Sequence, residues 1–113
     1  MPVHNPYEGE VIHNPEAGRF EIQVDRQVAV LQYRMQGDTI LFTHTGVPKE
    51  LEGQWLGSRL VHAGLEYARE HALRVRSLCW FVDGYMKRHP EYEGLRRGRK
   101  TEDGEERRGT EDG

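Results

Sequence analysis

The hydrophobic period of this chain first changes at Gly46-Val47-Pro48, and that change constrains the fold more than any other feature. Before it, Phe20-Glu21-Ile22-Gln23-Val24 alternates apolar and polar residues, the pattern of a half-buried strand. Asp25-Arg26 suits a short turn. Val28, Val30, Leu31, Tyr33 and Met35 carry the extended character to Gly37-Asp38, and Thr39 to Thr45 is β-branched and aromatic. After the change, Leu56, Leu60, Val61, Leu65, Ala68 and Ala72 recur at three- and four-residue spacings, one apolar stripe on a helix over about residues 54–72. Arg74 to Cys79 reads as a fourth strand, and Val82 to Arg88 as a shorter helix that Pro90 ends. Short connections make the first three strands an antiparallel meander, and the intervening helix makes the third and fourth parallel. The predicted class is α/β (α+β): a mixed, mostly antiparallel sheet of about four strands with two packed helices, in the order β-β-β-α-β-α.

Composition sets the boundaries of that domain. Residues 1–14 are rich in His, Asn and Pro and read as irregular, while from Arg96 onward RRGRKTEDGEERRGTEDG offers almost nothing to a core. The expected division is an irregular segment at 1–10, a folded domain at 11–95 and a charged, disordered tail at 96–113. The tail holds six basic and six acidic residues, so the net charge of -3 belongs to the rest of the chain. A mildly acidic domain lacks the clustered basic surface that nucleic acid requires. One cysteine excludes an internal disulfide. No apolar run reaches the roughly 20 residues of a membrane span, so the expectation is a cytoplasmic protein with no membrane or nucleic-acid partner. The six histidines form no HxH or HExxH pair, so no metal is expected.

The segment HTGVPKELEGQWLGSRL joins a strand to a helix through Gly and Pro, an arrangement that presents free N–H groups and a helix dipole to an anion. It is neither a Walker loop, lacking GK[ST], nor a GxGxxG dinucleotide turn. Together with the later LCWFVDGYMKRHPEY, it resembles the GNAT superfamily of acyl-CoA-dependent N-acetyltransferases, and within it the small YjdJ-type branch. The resemblance covers about residues 8 to 95, and the second segment is the more specific.

That resemblance implies a set of site residues. In the family's loop, R/Q-x-x-G-x-G/A, backbone amides grip the CoA pyrophosphate. Glu52 stands at its first position, Trp55 at the middle glycine and Gly57 at the last, so the expected loop is Glu52, Gly53, Gln54, Trp55, Leu56, Gly57, Ser58 and Arg59. Trp55 departs from the pattern, and its effect turns on φ: negative φ tolerates an indole, positive φ favours glycine. His44 to Val47, with Thr45 and Val47 among them, match the strand whose backbone pairs with the pantetheine arm. Cys79 falls near the thioester, as a nucleophile with His44 as its nearest base or as a small buried residue. Tyr85 matches the helix tyrosine that protonates the leaving thiolate in many family members, and Arg88, His89 and Tyr92 belong to the branch's signature. Trp80, Phe81 and Met86 read as core or pocket wall. Glu52 and His44 are candidate bases for the acceptor amine.

The implied function is acetyl transfer from acetyl-CoA to an amine. The minimal form lacks two helices that larger members insert after the first strand, which leaves a shallow acceptor site suited to a protein lysine or N-terminus. The alternative is a CoA-binding or protein-interaction module with weak or no catalysis, suggested by Trp55 and the charged tail.

Overall fold

The computed structural model describes residues 10–53 and 55–97. Five strands form one sheet in sequential order: β1 (Val11–Asn14), β2 (Arg19–Val24), β3 (Gln27–Gln36), β4 (Thr39–Gly46) and β5 (Arg74–Ser77). The first four pair antiparallel, and β5 lies parallel to β4. Helix α1 (Leu56–Glu70) makes the crossover, and α2 (Trp80–Arg88) and α3 (Glu93–Arg97) follow β5. The mixed, mostly antiparallel sheet is as expected, with one more strand and one more helix. Four element ends also differ: α1 starts at Leu56 and stops at Glu70, β5 stops at Ser77 and α2 starts at Trp80.

Strand β1 lies in a stretch read as irregular. Its inward-facing residues are Val11 and His13, and an imidazole scores as polar in any hydropathy pattern. Here the ring behaves as a core aromatic: it stacks on Phe20 at 4.2 Å, meets Tyr67 edge-on at 4.5 Å and bonds the Tyr33 hydroxyl at 2.6 Å.

The helices cover one face of the sheet. Phe20, Ile22, Ala29, Leu31, Ile40, Phe42 and Val75 pack there against Leu56, Leu60, Val61, Leu65 and Ala68 of α1 and Val82 and Met86 of α2. Burying one such aliphatic side chain contributes about 1.5–3 kcal/mol. A Cβ placed on Gly64 would stand 3.0 Å from both Leu31 and Phe42, so glycine sets how closely α1 approaches the sheet. α1 ends with Ala72 at φ 57° and Leu73 N–H bonded to the Ala68 carbonyl at 2.8 Å. This is a Schellman turn with alanine where glycine is usual.

Position 43 decides where the sheet opens. Tyr33 pairs with Phe42 but Gln32 pairs with His44, which leaves Thr43 as a β-bulge. The extra residue shifts the alternation, so Phe42 and Thr45 share the helix-covered face while His44 turns to the opposite one. On the other side, β4 and β5 pair only as far as Phe42 and Ser77. Leu78 N–H still reaches the Phe42 carbonyl at 2.9 Å, and then the chain turns away into α2. The hydroxyl of Ser77 causes that turn: it accepts from Cys79 N–H at 3.0 Å and donates to the Cys79 carbonyl at 2.9 Å. Such local capture competes with a sheet ladder. It makes Cys79 the residue that precedes α2, rather than the end of a strand.

Candidate active site

Beyond Phe42 the β5-facing edge of β4 has no strand beside it, and the gap widens into a cleft of about 840 Å³. Its walls bring together most of the residues expected from sequence. His44, Thr45 and Gly46 come from β4 and Val47 from just beyond it, Glu52, Gly53, Trp55, Leu56, Gly57 and Ser58 from the turn and the start of α1, and Cys79 and Arg88 from either end of α2. Thr43, Leu51, Leu78, Trp80 and Phe81 complete the lining. Gln54 lies outside the described residues. Arg59 and Tyr85 are not in the lining.

The first turn of α1 opens on this cleft. Its earliest helical bond is Arg59 N–H to the Trp55 carbonyl at 3.0 Å, and no side chain caps the helix. The N–H groups of Leu56, Gly57 and Ser58 are left for another acceptor, with the positive end of the dipole behind them. The first turn carries no acidic residue to neutralise it. The turn itself is tight: Gly53 sits at φ 83° and Trp55 at φ 66°. Trp55 therefore occupies the conformation that glycine favours. Its indole is 65 % exposed and stands at the rim.

The N-terminus of α2 meets the same place. A Cβ on Gly57 would come within 2.8 Å of the Phe81 ring, so the glycine lets the starts of the two helices touch. Two helix N-termini thus converge on one cleft, a feature hidden in sequence by the expected start of α2 at Val82. Around the rim, Trp80 is 82 % exposed and Leu78 is 73 % exposed. With Trp55 they concentrate bare apolar surface at the opening of a site into which two helix N-termini point.

The thiol of Cys79 is buried, with the hydroxyl of Thr45 at 3.3 Å. His44 is exposed on the other face of the sheet, its imidazole over Gly46. The structure therefore gives Cys79 a hydroxyl neighbour rather than an imidazole. The Thr45 partnership escapes a sequence reading because it depends on the bulge at Thr43.

Tyr85 is buried beside a different group. Its hydroxyl is 3.4 Å from His62 Nδ1, and its ring stacks on His89 at 4.1 Å. His62 Nδ1 also meets the Tyr92 hydroxyl at 3.1 Å, and that hydroxyl donates to Glu66, which Arg69 holds as an ion pair. Burial, followed by the carboxylates of Glu91 and Glu66, raises the Tyr85 pKa. Burial and the bond to Glu66 raise that of Tyr92. Both phenols stay protonated in the physiological range. This cluster joins α1, α2 and the 3-10 turn Pro90–Tyr92. Among the described residues no group of three or more His, Cys, Asp and Glu could hold a metal, and no helix is long and apolar enough to cross a membrane.

The family resemblance read from the sequence is matched by comparison with known proteins. Residues 19–95 match the sequence model of the GCN5-related N-acetyltransferases. The chain belongs to this family. Protein NATD1 of Gallus gallus is 29 % identical over 84 residues, spanning 72 % of this chain and 76 % of that protein. Protein NATD1 of Homo sapiens is 29 % identical over 83 residues, spanning 71 % and 74 %. Among solved structures, a GCN5-like protein of Staphylococcus aureus superposes with a TM-score of 0.63 at 29 % identity, covering 82 % of this chain and 92 % of that one.

Proposed function

We propose that this protein binds acetyl-CoA in the cleft between β4 and α2 and transfers the acetyl group to an amine. One observation carries the reading: β4 parts from β5 after Phe42–Ser77, and the first turns of α1 and α2 both open on the gap. The pyrophosphate belongs at the free N–H groups of Leu56, Gly57 and Ser58, with Arg88 as the nearby cation. The pantetheine amides belong on the bare edge of β4 from His44 to Val47, as an added strand. The thioester then lies near Cys79 and Thr45. The exposed indoles of Trp55 and Trp80 flank the donor and cover its apolar parts.

The chemistry needs a neutral amine. Its nitrogen attacks the thioester carbonyl carbon, the C–S bond breaks, and CoA leaves as a thiolate that takes up a proton. The amine proton passes to a base, and His44, exposed on the helix-free side of the cleft, is the group placed to receive it. The positive end of α2 stabilises the oxyanion of the tetrahedral intermediate. Cys79 acts by contact with the thioester rather than as a nucleophile, because its thiol faces a hydroxyl and not a base.

A second reading has its own support. Trp55 holds a positive φ in the loop that would carry the pyrophosphate, which suits a CoA-binding module that has lost turnover. Incubation with acetyl-CoA and a panel of amines and lysine peptides, followed by mass spectrometry, separates the two. Free CoA with a singly acetylated amine supports the enzyme. CoA binding without any acetylated product supports the module.

A further inference from the structure

The helix-free face of the sheet carries a patch of positive charge, although the chain as a whole is at net -3. Arg34 on β3 pairs with Leu41 on β4, Leu41 pairs with Arg76 on β5, and Arg74 stands two residues before Arg76 on the same face. All three arginines are exposed. None of the three guanidinium groups has an ion pair with a described residue. The fourth arginine of this face, Arg19, is taken by Glu21. Strand spacing puts Arg34 and Arg76 about 10 Å apart and Arg74 and Arg76 about 7 Å apart. Three fixed cations at those spacings match carboxylates two and three residues apart on an extended polypeptide. The patch is too small and the chain too acidic, at net -3, for a nucleic-acid track. The flanking surface of Val28, Val30 and Leu41 suits side chains rather than phosphates.

This face also leads to the reactive end of the cleft. Arg76 is one pair from Phe42–Ser77, where the sheet opens. His44 lines the cleft from this face, while Thr45 and Cys79 line it from the helix-covered one. A donor anchored at the start of α1 occupies the helix side. An amine that attacks the same carbonyl must then come through the gap from the arginine side.

Resting on the acetyl-transfer reading above, we propose that this face docks the acceptor, and that the acceptor is an amine in an acidic polypeptide segment. Its carboxylates lie within about five residues of the amine, the reach from the gap to Arg74 along an extended chain. The probe is an N-terminally blocked peptide, GRKTEDGEE, the sequence of this chain's own residues 98–106, in which one lysine precedes four carboxylates. Its control has Gln or Asn at the four acidic positions. Binding is read by fluorescence polarisation, and acetylation by mass spectrometry, at low and high salt. The expected result is that the acidic peptide binds on the order of tenfold tighter, about 1.4 kcal/mol. The difference should shrink with salt and vanish in the R34Q/R74Q/R76Q variant, whose acetyl-CoA affinity stays at the wild-type value. The single variant R76Q, one exposed change, should lose part of it if the triple variant folds poorly. Equal binding of the two peptides overturns the proposal, as does an equally charged oligonucleotide binding as well as the acidic peptide. Acidic-peptide binding that appears only after removal of residues 98–113 overturns it too, by assigning the face to the chain's own tail. A wild-type protein that binds the peptide through the arginines but takes up no acetyl-CoA refutes the donor site and leaves a peptide-binding face.

Discussion

Trp55 holds φ at 66°, where a residue with a Cβ costs about 1–2 kcal/mol that glycine avoids. Its side chain is mostly in solvent, so little packing offsets that cost. Trp55→Gly should therefore raise the unfolding free energy by about 1 kcal/mol, read by denaturant titration. It should at the same time weaken acetyl-CoA binding roughly fivefold, because an indole covering the ligand contributes about 1 kcal/mol. A variant that is more stable and also binds more tightly would mean that the indole obstructs the cleft. Gly57 gives the opposite test. Gly57→Ala drives a methyl into Phe81 at 2.8 Å and should cost about 1–3 kcal/mol of stability, part of which Phe81→Leu restores. The pyrophosphate role proposed for it and its observed packing against α2 fall on one residue, and only the first was suggested by the sequence. Cys79→Ala should keep acetyl transfer within about tenfold of wild type, since direct attack needs no nucleophile on the protein. Acetyl-Cys79 detected during turnover would contradict that.

At the scale of elements, the strand and helix faces were readable because the apolar periods are long and regular. β2, β3, β4 and α1 all lie where the pattern put them. What the pattern could not supply was the ends. One inserted residue, Thr43, turns Thr45 toward Cys79 and His44 away, and period-two reading passes over it. Ser77 stops β5 two residues early through its own hydroxyl. Deleting Thr43 removes the bulge but leaves His44 opposite Gln32 and Thr45 opposite Leu31, on the faces they now hold, so circular dichroism should still report the sheet and acetyl-CoA should still bind. The C-terminus of α1 offers a simpler test. Ala72→Gly relieves φ 57° in the Schellman turn and should raise stability by about 1 kcal/mol.

For the molecule as a whole, the family segments pointed to residues that meet in the cleft, but the second helix N-terminus, the aromatic use of His13 and the arginine face arise only when distant residues meet. His13 also makes stability depend on pH. Burial, and next the charge of His71, lowers its pKa below 6.5. The folded state therefore favours neutral imidazole: the contribution is complete above pH 6.5 and is lost as pH falls through the folded pKa. Glu21 and Glu66, whose pKa values are lowered by bonds to Arg19 and Arg69, lose theirs further into the acid range. The midpoint of thermal unfolding should begin to fall just below pH 6.5, and His13→Phe should remove that first step. The central claim concerns the cleft, and the most direct measurement is an acetyl-CoA titration followed by amide chemical shifts. The expected result is saturable binding with shifts concentrated at residues 44–47, 55–59 and 78–81. No binding at millimolar acetyl-CoA, or shifts centred elsewhere on the protein, would contradict it.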